Sequence, residues 1–181
     1  KIKLYFMLGL PTETDEDAFG IARLAIEVKK ALGGGRVSIS VTPFVPKPVT
    51  PFQWIALERE ETIERRYAIV KDEIRKEGGI EINSFSLKET LLQAYLSRAD
   101  KRAGEFVIFG AREGWKKALK KFSVEIEESV YRVRKEDEIL PWDAIDHGIE
   151  KAYLWKEYQK GLEGKITPPC DVGRCVRCGV C

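Results

Sequence analysis

Apolar and polar positions change rhythm several times along this chain, and each change marks an element. Residues 4–8 (LYFML) form an unbroken apolar run, the pattern of a parallel strand covered on both faces. Gly9 permits a sharp turn or close approach to a ligand, and Pro11 ends strand pairing. Thr14, with Asp17 three residues on, is a near capping box that opens a helix. Ile21, Ala25, Val28 and Leu32 give that helix one apolar face. Gly33-Gly34-Gly35 stops it; these glycines follow a helix and lack the flanking pattern of a phosphate loop. In residues 36–44 (RVSISVTPF), Val37, Ile39 and Val41 alternate with Ser38, Ser40 and Thr42. This predicts a second strand whose small hydroxyls face a barrel interior or a ligand.

Four prolines between Pro43 and Pro51 then predict an extended, stiff loop. Its aromatics Phe44, Phe52 and Trp54 suit either the cover of a flat cofactor ring or packing on the rim of the fold. Residues 57–77 read as a long charged helix buried through Ile63, Tyr67, Val70 and Ile74, with the run EREETIERR as its solvated face. Gly78-Gly79 ends it, residues 80–83 form a short third strand, and Ser86 with Glu89 opens another helix. The order βαβαβα predicts a parallel sheet with right-handed crossovers, and in such folds ligands sit at the carboxyl ends of the strands. Residues 9–14 are therefore the first candidate for a bound cofactor. After residue 100 the pattern becomes short helices anchored by Phe106, Phe109, Trp115, Phe122 and Tyr131, then a last amphipathic helix over about 146–162.

Charge narrows the function classes. Lys and Arg number 31, Asp and Glu 29, for a net charge of +2, which makes no case for nucleic acid or an acidic membrane as partner. The basic run Lys116-Lys117 to Lys120-Lys121 reads as a solvated helix face. A third of the residues are charged, while Asn83 and His147 are single instances of their kinds, the composition of a hyperthermophile's ion-paired surface. His147 reads as a helix-start residue, not a ligand. No leader or apolar run of spanning length is present, so a cytoplasmic location is expected. The abrupt opening into a strand suggests a fragment of a longer protein.

All four cysteines crowd the end, as Cys170-x4-Cys175-x2-Cys178-x2-Cys181. Thiolates bind zinc and iron strongly, and two-residue spacers let successive sulfurs turn toward one centre. The run is closer to a ferredoxin sequence than to a zinc ribbon, whose paired knuckles stand further apart. An iron–sulfur cluster, a zinc site, two disulfides and a metal-free tail all remain open.

The corner LGLPTETDED resembles the GxPxET corner of radical S-adenosylmethionine (SAM) enzymes. The segments SLKETLLQAYLSRADKR and WDAIDHGIEKAYLWKEY…TPPCDVGRCVRCGVC resemble the end of a little-characterised subgroup of those proteins that often carries a vitamin B12-type domain in front. The resemblance implies an α/β fold: the back half of a (β/α) barrel of the TIM type with parallel strands over residues 1–99, a helical extension packed on it over 100–164, and a Cys-rich metal-binding tail over 165–181. It implies a radical SAM iron–sulfur oxidoreductase-type enzyme that cleaves SAM reductively. Gly9, Pro11, Glu13 and Thr14 would line the SAM site, joined by Ser40, Pro43 and Phe44. Cys170, Cys175, Cys178 and Cys181 would hold a 4Fe-4S cluster or, alternatively, zinc. The CxxxCxxC loop that holds the family's SAM-cleaving cluster is absent here. The expectation is thus a C-terminal fragment, inactive alone, whose partner is the N-terminal half of the same polypeptide. Half a barrel leaves unpaired strand edges, so the fragment is expected to self-associate or to cover them. Two rivals stand beside this reading: a non-catalytic module with a structural zinc tail for partner binding, and a flavodoxin-like domain binding another nucleotide at Gly9.

Overall fold

In a computed structural model, which describes residues 1–180, the chain is α/β and divides into two compact units. The first comprises Lys1–Phe44 and Glu58–Thr90, the second Val45–Leu57 and the residues from Leu91 onward. The Pro-rich loop and most of the third helix thus belong with the helical part of the chain.

The first unit is built on a three-stranded parallel sheet ordered β1 (Ile2–Leu8), β2 (Val37–Pro43), β3 (Ile80–Asn83). Helices α1 (Asp15–Ala31) and α2 (Glu60–Glu77) make the two crossovers. Alternation sets the core: Leu8, Val37, Ile39 and Val41 pack against Ala18, Ala22 and Ala25 of α1 and Val70 and Ile74 of α2. The three small alanines let α1 lie close to the sheet. Gly78, at φ +74°, terminates α2 in a conformation that only glycine adopts readily.

The expectation that β1 is covered on both faces is corrected. Leu4, Phe6 and Leu8 turn inward, whereas Tyr5 is 73 % and Met7 50 % exposed. The reason is topological: β1 is an edge strand, and both crossover helices pack on the face it shares with Val37, Ile39 and Val41. On the other face the register sets Lys3 beside Ser38, Tyr5 beside Ser40 and Met7 beside Thr42, with Glu81 and Asn83 continuing the rows on β3.

In the second unit, α3 (Leu87–Arg98, from Leu91), α4 (Ala103–Glu113), α5 (Trp115–Lys121) and α6 (Ser123–Val130) surround Phe106. Tyr95 and Phe122 meet that ring edge-on, at 4.8 and 5.6 Å between centroids. A separate cluster joins Trp54, Leu140, Trp142 and Leu154, the last on α7 (Lys151–Leu162). The final helix begins at Lys151 and not near 146, because Gly148 sits at φ +71° and donates its N–H to Asp146 Oδ1, a turn that blocks helical continuation. His147 therefore lies in an exposed loop. Among the described residues no helix is long and apolar enough to cross a membrane.

Candidate functional site

The β1–α1 corner is held from within. Gly9, at φ +93°, donates its N–H to both carboxylate oxygens of Glu13, at 3.0 and 3.1 Å, and Leu10 N–H reaches Oε2 at 3.4 Å. Arg66 of α2 closes the other side: Nη1 donates to Glu13 Oε1 at 2.8 Å and Nη2 to the Glu13 carbonyl at 2.5 Å. The Glu13 and Arg66 side chains are only 6 % and 8 % exposed. Asp15 adds a second carboxylate, touched by Arg66 Nε at 3.4 Å and Arg65 Nη2 at 2.9 Å. The Arg65 hydrogen bond holds Asp15 below the usual carboxylate range. The N–H and hydroxyl of Thr14 both donate to Asp17 Oδ2, at 2.7 and 2.8 Å, and the backbone bond, then the hydroxyl, lowers Asp17 likewise. A Cβ on Gly9 would stand 2.9 Å from Glu58 Cβ, so the corner needs glycine for both its space and its φ.

The strand register brings most of the expected cofactor residues together. Leu8 pairs with Pro43, and Phe44 N–H donates to the Leu8 carbonyl at 2.7 Å, so Gly9 and Phe44 leave adjacent strand ends side by side. Ser40 lies three residues before Pro43 and on the opposite sheet face from it, in register with Tyr5. Pro11 and Glu13, with Met7, Leu10, Thr12 and Ile21, line an open groove of about 480 Å³ beside the edge strand. Glu13 contributes its stem there, for its carboxylate is already shared between Arg66 and the Gly9 amide. Of the loop aromatics, Trp54 is fully buried against Trp155 and Tyr158, and Phe52 meets Tyr158 edge-on, which makes both part of the second unit's core packing.

The cysteine tail is drawn into a loop by its own residues. Arg174 and Cys175 donate their N–H groups to the Asp171 carbonyl, at 3.0 and 2.9 Å. Arg177 spans the loop: Nε donates to Cys175 Sγ at 3.0 Å, and Nη2 to the carbonyls of Pro168 and Pro169 at 3.0 and 3.1 Å. The Arg177 hydrogen bond pulls the Cys175 thiol below its ordinary value, toward the thiolate that binds metal. The Cys178 carbonyl accepts from Glu150 N–H at 2.9 Å, which ties the loop to the start of α7, and Thr167 donates to Glu157 Oε2. Among the described residues no group of three or more His, Cys, Asp or Glu stands ready around one point for a metal ion. Cys181, the fourth expected ligand, lies outside the described residues.

Arg66 was hidden from sequence reasoning inside a charge run. Its position gave the available signal: it falls on the stripe of Ile63, Tyr67, Val70 and Ile74.

No family model matches this sequence, and no solved structure matches it. An uncharacterised protein of Methanocaldococcus jannaschii is 35 % identical to it over 107 residues, 59 % of this chain and 23 % of that protein. The match thus spans less than a quarter of the relative's length.

Proposed function

We propose that this chain is the C-terminal part of a radical SAM iron–sulfur protein, with the β1–α1 corner as one wall of a SAM cleft and the cysteine tail as a metal site. The observation that carries the reading is the one-sided sheet. Both crossover helices cover one face, the other bears Tyr5, Met7, Ser40 and Thr42, and the outer edge of β1 pairs with no strand among the described residues. A barrel cut in half has this form: helices outside, mixed polar residues inside, an open edge where the preceding strand belongs. The length of the Methanocaldococcus relative supports a larger parent polypeptide.

In this reading the buried Glu13–Arg66 pair acts as a brace. It holds Gly9 and Pro11 in place beside Phe44, and SAM would meet Pro11, Thr14 and the apolar groove instead of the Glu13 carboxylate. Ser40 would reach the ligand from the inner face of the barrel. The tail suits a soft metal: its donors are thiols, Arg177 favours the Cys175 thiolate, and Arg174 and Arg177 offset negative charge on a thiolate-bound centre. Cys170, Cys175, Cys178 and Cys181 would hold it. A cluster bound there supplies or accepts one electron at a time. Cleavage of SAM itself would need the three-cysteine loop of the N-terminal half.

A structural zinc in a non-catalytic module is the second reading, favoured by the way Arg177, Thr167 and the Cys178 carbonyl fasten the tail to its own unit. Iron, sulfide and zinc analysis of anaerobically purified chain, with calorimetric titration of SAM, separates the two. Iron with matching sulfide, visible absorption above the protein band, and saturable SAM binding uphold the first. Stoichiometric zinc, no visible band and no heat with SAM overturn it.

A further inference from the structure

The second unit buries two arginines that form no ion pair among the described residues, although Glu138 acts on Arg134 through space. Arg98, the last residue of α3, is 0 % exposed and Arg134 is 4 % exposed. One carbonyl holds both: Ser129 O, at the end of α6, accepts from Arg98 Nε at 3.3 Å and from Arg134 Nη2 at 2.8 Å. Arg134 is set there by its backbone, whose N–H donates to the Trp54 carbonyl at 2.8 Å, while Leu57 N–H donates to the Val130 carbonyl at 2.9 Å. Its guanidinium lies 5.5 Å from the centre of the Trp142 ring.

The remaining donors have nowhere to go. Arg98 Nη1 and Nη2 and Arg134 Nε and Nη1 are buried without a hydrogen-bond partner. Among the described residues the other buried side-chain atom in that condition is Trp54 Nε1, also a donor. Native interiors rarely leave such groups unmet, and a lone buried charge is costlier still. No carboxylate forms an ion pair with either arginine among the described residues; nearby Glu138 is already paired with Arg132 at 2.5 Å. The end of α6 contributes about half a negative charge at most, against two positive ones. Burial first, then the Arg134 and Arg132 charges, pull Arg98 down to about 9. Water would satisfy hydrogen bonds but not charge.

We propose that Arg98 and Arg134 form an internal binding site for a phosphoryl group. A dianion balances two guanidinium charges, where a monocarboxylate balances one. The two Nη atoms of Arg98 present the fork that grips two oxygens at once, and Arg134 supplies the second cation. Arg134 is carried by residues 131–150, which contain no helix or strand, whereas Arg98 is fixed on α3. The site is independent of the SAM reading and of the cysteine tail.

Inorganic phosphate is the probe, with glycerol phosphate as the ester arm and acetate at equal ionic strength as the monoanion. Unfolding of the 181-residue chain is followed by circular dichroism, and binding by tryptophan fluorescence, since Arg134 covers Trp142. At a hundredfold excess over Kd, phosphate should raise Tm by roughly 5–10 °C and change the fluorescence saturably. In Arg98→Met both responses should vanish, and in Arg134→Lys they should weaken at least tenfold in Kd. The comparison with Arg98→Met removes any general salting effect of phosphate. Stabilisation by glycerol phosphate as well identifies an organic phosphate as an acceptable source, and stabilisation by phosphate alone identifies the free anion. A wild-type chain that responds equally to phosphate and acetate, or an Arg98→Met chain that responds as wild type does, overturns the proposal. Should Arg98→Met fail to fold, the wild-type fluorescence titration and Arg134→Lys still decide it.

Discussion

Arg66→Met removes the cation that closes the β1–α1 corner while keeping most of the side chain's apolar length. Its loss leaves the Glu13 carboxylate, 6 % exposed, with only the Gly9 and Leu10 amides as donors. Breaking a buried ion pair from one side costs about 3–5 kcal/mol. The two amides that remain keep this case near the lower end, at about 3 kcal/mol, which for a chain of this size lowers Tm by roughly 6–12 °C. Neighbouring Arg65 provides the internal control. It bonds Asp15 at 2.9 Å, but the two side chains are 57 % and 44 % exposed. Arg65→Met carries the same change of charge and should cost no more than about 0.5 kcal/mol.

The assay is urea or thermal unfolding of four chains: wild type, Arg66→Met, Glu13→Gln and the double variant. Because the single variants each strand a buried charge or its partner, the double variant should be more stable than the sum of losses by at least about 1 kcal/mol. Hydrogen exchange at Gly9 and Leu10 should quicken in Glu13→Gln, since that carboxylate accepts both amides. A loss under about 1 kcal/mol in Arg66→Met, or strict additivity in the cycle, would refute the brace.

Gly9→Ala sets a Cβ 2.9 Å from Glu58 Cβ at φ +93° and should cost about 1–3 kcal/mol by the same unfolding assay. Glu138 is brought down to about 2, chiefly by its hydrogen bond from Arg132, so its contribution is complete above pH 4.5 and is lost as pH falls through about 2. Arg132 is half exposed, which holds that contribution under about 1 kcal/mol; the pH dependence of Tm below 4.5 should flatten by that amount in Glu138→Gln. Arg177→Met should slow alkylation of Cys175 by iodoacetamide at pH 7, read by peptide mass spectrometry, because the guanidinium that favours its thiolate is gone. The open edge of β1, with Tyr5 and Met7 exposed, should drive concentration-dependent association in light scattering, and Met7→Lys should abolish it.

The βαβαβα order, both glycine stops and the opening corner were legible in the sequence, because each rests on local rules: period, caps and positive φ. What failed to show was which face has company. Residues 4–8 are apolar without a break, yet Tyr5 and Met7 stand in the open. The pattern records what each side chain tolerates, and an edge strand's outward face is decided by elements elsewhere in the chain. Trp54 stayed open between two readings for a related reason: an aromatic after prolines serves a cofactor and a core equally well, and only the arrival of Trp155 and Tyr158 from a helix a hundred residues on decides it.

Two of the buried arginines, Arg66 and Arg98, were visible in principle, and both were obscured in the same way. Arg66 follows Ile63 by three residues and precedes Val70 by four. Arg98 follows Ala94 by four and Tyr95 by three, on the stripe that Leu91 begins. Read for charge, each sits in a crowded polar run and looks solvated; read for period, each occupies a core position of an amphipathic helix. An arginine at a core position must find an acid, a carbonyl or a ligand, because burial without one is too costly to survive in a stable fold. Arg66 finds Glu13 and so braces the corner. Arg98 finds only a shared carbonyl, and that difference is why one belongs to the architecture and the other points to something the chain must bind.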